Sequence, residues 1–422
     1  MMMMIKNKNN LIDLSQNMLD FHLWFVGFSD AESNFSIVPK QDINGNVNRF
    51  TFVFGIGLHI DDVEALEYIQ SKLNIGIVRT YKDECKFIVT KREDISKLIS
   101  LFDSYNLNTS KYLDYLDFKK AFNIYNDREG FLTEELKNKV LELKDGMNTK
   151  RKNFYMPNDH KIVITKSWLL GLIEGEGSFQ LWKNDLVSAF SLVLTEKQLP
   201  VLEKIKEFLV NNLGFDKYSK AKLDSSSAIS INHQKARKNS KGSVLLNIKN
   251  IHILNNYLVP YLDDMQFITK KGKDFKDFKL ICKVLYTGAH KIDDIKTLIL
   301  KLSLTMNNYR LSTNSEKVEL LSSLERDTLA NASPCIAHLS DGRQRDLVTG
   351  KIIHQHSSSI YEVIKSNNEV VLKQTLFEAA DIVDVNIKTL SKLLDKSEGG
   401  SAEIKGNIVK RIAVFYDTAD KK

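Results

Sequence analysis

The stretches FVGFSDAES (residues 25–33) and LLGLIEGEG (residues 169–177) read as two copies of one element, set 144 residues apart. Each has an apolar run, a small residue, three more positions, a second small residue and then an acid. Gly27 and Ala31 take the small positions in the first copy, Gly171 and Gly175 in the second. Glu32 and Glu176 follow at the same offset. Small residues four apart share a helix face and let another helix backbone approach closely. The pattern is best known from membranes, but these apolar runs are too short to span a bilayer. The two helices are therefore expected to pack on each other, with Gly27, Ala31, Gly171 and Gly175 at the contact.

Pseudo-twofold pairing would bring both helix C-termini together, and Glu32 and Glu176 with them. Helix C-termini expose unpaired carbonyls and carry partial negative charge. Two carboxylates added there are unfavourable unless a cation neutralises them. The arrangement calls for a hard divalent metal with oxygen ligands: Mg²⁺, or Mn²⁺ or Ca²⁺ in its place. The carbonyls of Ala31 and Gly175 are candidate further ligands.

These residues resemble the paired motifs of LAGLIDADG homing endonucleases, in the monomeric form with two motifs per chain. The likeness covers residues 18–310 by layout. It implies that the acids at the eighth motif position, Glu32 and Glu176, are catalytic and bind metal, and that Asp30 and Glu174, at the sixth, do not. It also implies hydrolysis of a phosphodiester in each strand of double-stranded DNA, by a staggered cut across the minor groove. A basic side chain is expected near each scissile phosphate, with Lys91 as the candidate. Ser33 stands where the family usually has glycine, as Gly177 does, so the first copy lacks glycine's backbone freedom.

The chain has 422 residues, enough for two or three domains, and its hydrophobic content of 43% supports a real core. Sixty basic and 53 acidic residues leave a net charge of +7, which permits a polyanion partner. The three cysteines, Cys85, Cys282 and Cys335, lie far apart and suggest a reducing compartment without a disulfide framework. Cys335, His338, His354 and His356 fit no standard zinc spacing. No membrane span or secretory signal is expected. The start, MMMMIKNKNN, lacks an apolar signal core and an Arg-rich amphipathic pattern. Few prolines and many Asn, Lys and Ile residues suggest an AT-rich coding sequence. With the family likeness, this favours an organelle-encoded protein made inside a fungal mitochondrion.

The expected class is α+β: two pseudo-symmetric αββαββα halves forming a DNA-binding saddle, then a small helix-turn-helix-like domain. Residues 1–17 read as a leader, 18–126 as the first half, 127–165 as a linker and 166–310 as the second half. A further linker covers 311–340 and the C-terminal module 341–422. RFTFVFGIGLHI (49–60) is the clearest strand, with Phe50, Phe52, Phe54, Ile56 and Leu58 on one face. A β-ribbon fits the major groove and reads base edges with its outward residues. Those are Asn34, Ser36, Lys40, Arg49 and Thr51 in half one, and Ser178, Gln180 and Ser191 in half two. The basic run from Lys217 to Lys241, with Lys235, Arg237 and Lys238, is expected to touch phosphates.

Near the end, VVLKQTLFEAADIVDVNIKTLSKLLDK resembles the modular DNA-binding tails of some intron-encoded nucleases. It predicts two short helices with a turn near Val383–Asn386. Phe377, Ala379, Ala380, Val385, Leu390 and Leu393 would form its core, and Lys388, Thr389 and Lys392 would face DNA. Such units often carry glycine at the turn, where this chain has Asp384. The leading reading is a site-specific endonuclease acting as a monomer. Its alternatives are an RNA maturase that binds the host intron RNA, and a non-catalytic DNA-binding protein on the same scaffold.

Overall fold

A computed structural model describes residues 2–224, 227–236, 242–314, 319–353, 359–397 and 399–416, with backbone alone for 2–15. In the first half the elements run α1 (Met2–Glu32), β1 (Ser33–Gln41), β2 (Val47–His59), α2 (Val63–Leu73), β3 (Ile77–Thr80), β4 (Glu84–Val89), α3 (Arg92–Ser104) and α4 (Lys111–Asn126). Helix α5 (Glu134–Asp145) lies between the halves, capped by the Thr133 hydroxyl. The second half repeats the plan with α6 (Lys166–Glu176), β5 (Gly177–Trp182), β6 (Val187–Thr195), α7 (Leu199–Asn212), α8 (Lys217–Asp224), β7 (Ile229–Gln234) and β8 (Ser243–Ile248). One continuous helical stretch follows: α9 (Ile251–Ile253), a π-turn (Leu254–Leu258) and α10 (Val259–Asp263). Then come α11 (Lys271–Tyr286) and α12 (Asp293–Ser303).

Helix α1 continues back through the stretch read as a leader. No Gly or Pro interrupts residues 2–17, so nothing in the sequence stops the motif helix from propagating. The motif segments of these helices, residues 24–30 and 168–174, are buried on every side. Phe25 and Phe28 of α1, and Trp168 and Leu172 of α6, are almost wholly buried. Their glycines set the approach. A Cβ on Gly27 would stand 2.0 Å from the Trp168 carbonyl oxygen, and one on Gly171 would stand 2.1 Å from that of Trp24. A Cβ on Gly175 would meet that of Ala31 at 2.3 Å. Backbone therefore rests on backbone along the seam, as the spacing of small residues predicts.

Each half carries a four-stranded antiparallel sheet of the same order, β1-β2-β4-β3 and β5-β6-β8-β7. The inner face of β2 presents Phe50, Phe52, Phe54 and Ile56, all buried. Phe35 and Phe54 pack against Phe102 of α3, and Phe52 against Phe118 and Phe122 of α4. In the second half Phe179 packs against Phe190, Phe275 and Phe278. The opposite faces of both sheets carry the small and polar residues.

The C-terminal region adds α13 (Ser323–Ala330), β9 (Ile336–His338), β10 (Gln344–Asp346), β11 (Ile352–Ile353), β12 (Ser359–Ile364), β13 (Val370–Lys373), α14 (Leu376–Ile382), α15 (Ile387–Lys396), β14 (Ser401–Ile404) and β15 (Asn407–Ala413). The predicted helix pair is present, and Asp384 takes the left-handed conformation at the turn (φ 49°), a role Asp tolerates in place of glycine. The pair packs on a four-stranded sheet, β13-β12-β15-β14, which the sequence reading did not foresee. The core assignment needs correction. Phe377 is 68% exposed and Leu393 is also exposed, while Leu376, Val383 and Leu394 are buried beside Ala379, Ala380 and Leu390. Thr375 caps α14, and Leu376, not its larger neighbour, turns inward.

Candidate active site

Glu32 and Glu176 are the last residues of α1 and α6, and the helix contact brings them together. The Glu32 Oε1 lies 3.1 Å from where a Cβ on Gly175 would stand, so this carboxylate leans on the end of the opposing motif. Burial raises the pKa of Glu32, and the nearby charge of Asp62 adds to the shift. Burial also raises that of Glu176, and the negative charge of Glu32 pushes it further. Two lysines oppose both shifts, Lys111 and Lys271. The Lys111 Nζ donates to the Ala31 carbonyl at 3.0 Å, and the Lys271 Nζ to the Gly177 carbonyl at 2.7 Å. Burial lowers the pKa of Lys111, against the pull of Asp30, Glu32 and Glu176.

Lys91 is not one of these cations: it stands exposed at the N-cap of α3. Asp30 and Glu174 point away from the carboxylate pair and into backbone. Asp30 accepts from the N–H groups of Asn108 (2.8 Å) and Thr109 (3.0 Å), the Thr109 hydroxyl (2.6 Å) and the Trp168 indole (2.9 Å). Glu174 accepts from the N–H groups of Ile268 (2.8 Å) and Thr269 (2.6 Å), the Thr269 hydroxyl (2.9 Å) and the Trp24 indole (2.6 Å). Ser33 costs the first motif little. Gly177 has an extended φ of −73°, so no left-handed conformation is required there, and the Ser33 hydroxyl donates to the Ser29 carbonyl at 2.7 Å.

The Ala31 carbonyl is already engaged by Lys111, so as a metal ligand it would use its second lone pair. Among the described residues, no group of three or more His, Cys, Asp or Glu side chains converges on one point. Two carboxylates with backbone carbonyls suit a hard divalent cation that takes oxygen ligands. The donor set therefore fits a divalent ion.

The open faces of the sheets flank this pair. Asn34, Lys40 and Arg49 are exposed and Ser36 and Thr51 half-exposed, with Lys40 paired to Arg49 across the β1–β2 ladder. Ser178 and Gln180 are half-exposed. Ser191 shares their row but is only 6% exposed, held between Ser178 and Asn247, and offers a ligand little. Trp182 is an exposed ring on this face with the Lys249 Nζ 3.6 Å from its centroid, whereas Trp24 and Trp168 are core. Lys235 is exposed beyond β7. Arg237 and Lys238 lie outside the described residues, as do His354 and His356. The basic run is not wholly free for phosphates. Its first part folds into α8, where Lys222 donates to the Gln374 carbonyl and Tyr218 to Glu362 of the C-terminal module. Lys388, Thr389 and Lys392 are exposed on α15.

Sequence reasoning missed Lys111 and Lys271, although a second repeat carries them. Thr-x-Lys-x-x-Asp-x-x-Asp-Phe-Lys occurs at residues 109–119 and again at 269–279. A companion repeat, Met-Asn-x-x-Arg, stands at 147–151 and 306–310. It closes a clasp on each half. Asp114 accepts from the Asn148 N–H (2.8 Å) and Arg151 Nε (2.9 Å), while the Asn148 amide donates to the Phe35 carbonyl (2.9 Å). Asp274, Asn307, Arg310 and the Phe179 carbonyl repeat this geometry. Both asparagines are left-handed, with φ of 56° and 57°. The clasps pin the strand that leaves each motif acid.

These features define a single-chain protein of internal twofold repetition whose two carboxylates meet at a central helix seam. The sequence profile of the LAGLIDADG endonucleases matches residues 25–122 and 169–282, together half of the chain, and the chain belongs to that family. It is 35% identical over 205 residues to "Probable intron-encoded endonuclease Cox1-I1b" of Schizosaccharomyces pombe, covering 47% of this chain and 52% of that protein. To "Uncharacterized mitochondrial protein RF1" of Saccharomyces cerevisiae it is 27% identical over 320 residues, 73% of this chain and 64% of that one. The chain thus spans between half and two-thirds of the length of these curated relatives. Among solved structures it is similar to the LAGLIDADG homing endonuclease I-GzeII in complex with its DNA target, with TM-score 0.57 and 27% identity over 68% of this chain and 99% of that one. Its relatives come from fungal mitochondria and introns. No described helix is long and apolar enough to cross a membrane.

Proposed function

We propose that this chain is a site-specific double-strand DNA endonuclease that acts as a monomer inside a mitochondrion, with Mg²⁺ as its cation. The single observation that carries the reading is the Glu32–Glu176 pair. Two carboxylates with raised pKa values meet at the seam of two like sheets, with a lysine on either side of them. When bound there, a divalent ion supplies Lewis-acid stabilisation of the phosphate and its leaving 3′ oxygen, and makes water a better nucleophile.

The chain's own residues do the rest. Glu32 and Glu176 provide the negative charge that holds the cation and, once ionised, orient water by accepting its proton as a hydrogen bond. Lys111 and Lys271, set against the ends of the two motifs, stabilise charge growing on the phosphate oxygens. Asn34, Ser36, Lys40, Arg49, Thr51, Ser178 and Gln180 face the duplex, and base-edge contacts from such positions give sequence choice. The exposed face of α15 extends the contact to flanking DNA through Lys388, Thr389 and Lys392.

The test uses the full chain and a supercoiled plasmid carrying the uninterrupted sequence that flanks its reading frame. With Mg²⁺ the protein is expected to linearise the plasmid. Glu176→Gln is expected to bind as tightly and to cut more slowly by about 10³-fold or more. Cutting by that variant at the wild-type rate would overturn the assignment.

A further inference from the structure

The acids at the sixth motif position tie the motif helices to the turns that carry the lysines of the site. Asp30 and Glu174 are each buried, and each gathers four donors. Two of those donors are backbone N–H groups on the turn that opens α4 or α11, and a third is the hydroxyl of Thr109 or Thr269. Two residues beyond each threonine stands a lysine of the site, Lys111 or Lys271. The fourth donor comes from the other half. The Trp168 indole on α6 reaches Asp30 on α1, and the Trp24 indole on α1 reaches Glu174 on α6.

We propose that Asp30 and Glu174 are positioning residues that aim Lys111 and Lys271 at the carboxylate pair, each locked by the tryptophan of the opposing motif helix. This rests on the endonuclease reading above. A carboxylate on a row of N–H donors gives short, charge-assisted bonds that fix the turn in one register. Turning the turn by one residue would carry the lysine off the seam. Because each lock needs a tryptophan from the other half, a lysine is aligned only when the two motif helices are docked. An amide cannot do the same work. In Glu174→Gln, one face of the side chain still accepts from Thr269, but its NH₂ confronts the Trp24 N–H, donor against donor. In Asp30→Asn the NH₂ would confront both the Trp168 indole and the Asn108 N–H, because one oxygen of Asp30 accepts from both. Aspartate does this work in half one and glutamate in half two, so a carboxylate with either stem length serves.

The experiment reads the two strands separately. The full chain is incubated with Mg²⁺ and target DNA labelled on one strand or the other, at saturating protein. Wild type, Asp30→Asn, Glu174→Gln and Glu174→Asp are compared, with binding measured in parallel. A 1 Å misplacement of a catalytic group costs about 10²-fold. Glu174→Gln is expected to slow one strand by roughly that factor and the other far less. Asp30→Asn is expected to do the reverse. Glu174→Asp is expected to restore most of the rate lost in Glu174→Gln. Equal slowing of both strands in each variant, or none, would overturn the proposal, since a purely structural role has no strand preference.

A readout free of DNA separates this from the endonuclease reading. Acetylation of each lysine by an N-hydroxysuccinimide ester is followed by mass spectrometry. Lys111 is expected to be protected in wild type and to gain reactivity in Asp30→Asn while surface lysines are unchanged. If Lys111 reacts alike in both proteins, the positioning role fails even where DNA is cut. If its reactivity rises while no DNA is cut by wild type, the positioning role stands and the nuclease reading fails.

Discussion

Gly171→Ala tests the seam with a single methyl group. Two effects oppose each other. Alanine inside a helix is favoured over glycine by about 1 kcal/mol. Against this, the new Cβ would stand 2.1 Å from the Trp24 carbonyl oxygen and 2.6 Å from the Phe28 nitrogen, and both are backbone atoms. Ordinary contact begins at 3.4 Å, so the methyl lacks about 1.3 Å of room and no flexible side chain can yield it. Overpacking of this kind costs about 1–3 kcal/mol, occasionally more. Since the obstacle is main chain, we take the upper end, which leaves a net loss of about 2 kcal/mol or more. Relief must come from parting α1 and α6 by about an ångström, and that moves Glu32 relative to Glu176. Cutting is then expected to fall by about 10²-fold, out of proportion to the fraction unfolded. Denaturant melts and single-turnover cleavage measure the two effects. Gly57→Ala is the control for the melts, because its Cβ would meet only the Lys86 side chain at 3.8 Å. A Gly171→Ala protein as stable and as active as wild type would refute the backbone contact and the placement of the acids that depends on it.

Metal and pH should act together on stability. Burial raises both Glu32 and Glu176, so the ionised pair weighs against the metal-free fold. The stability these groups contribute is full below the ordinary glutamate range and is lost as pH rises through their raised values. Divalent metal is therefore expected to raise the melting temperature more at pH 8 than at pH 5, and Glu32→Gln/Glu176→Gln to abolish that difference; an equal metal shift at both pH values would count against the carboxylates as ligands. On α15, Lys388→Ala/Lys392→Ala is expected to weaken binding of long targets and to lower the slope of log affinity against log salt by up to about 2. An unchanged slope would remove α15 from the DNA contact.

How much of this was legible depends on the distance over which each signal acts. Strand β2 was read to within two residues, 49–60 against Val47–His59, because Phe50, Phe52, Phe54 and Ile56 alternate strictly and one face must be buried. The motif acids were legible because the small-residue spacing and the acid repeat together within nine residues. In the C-terminal core Ala379, Ala380, Val385 and Leu390 lie where they were read, while Leu376 and Leu394 take the places given to Phe377 and Leu393. Phe377 is the larger residue, yet Leu376, the first residue after the Thr375 cap, is the one that turns inward. The basic run hid α8, because charge composition drew attention away from Asp216, whose carboxylate accepts from the N–H groups of Tyr218 and Ser219 and starts that helix.

The lysines were missed for a different reason. Asp30 meets Thr109 across 79 residues and Trp168 across 138. At such separations neither helical nor strand period carries information, and a lone lysine at the start of an amphipathic helix reads as surface. Only duplication reaches that far. The second repeat recurs at 160 residues, not at the 144 of the motifs, because the connections inside each half differ in length. A search locked to the motif spacing passes over it. Allowing the spacing to drift brings Thr109, Lys111, Asp114 and Asp117 into line with Thr269, Lys271, Asp274 and Asp277, all of matching type. A duplicated chain that must present two equivalent reacting centres keeps paired chemistry wherever a side chain serves the site, while the loops between are free to change length. Matched residue types at unmatched spacing are thus the mark, within one sequence, of positions tied to the seam.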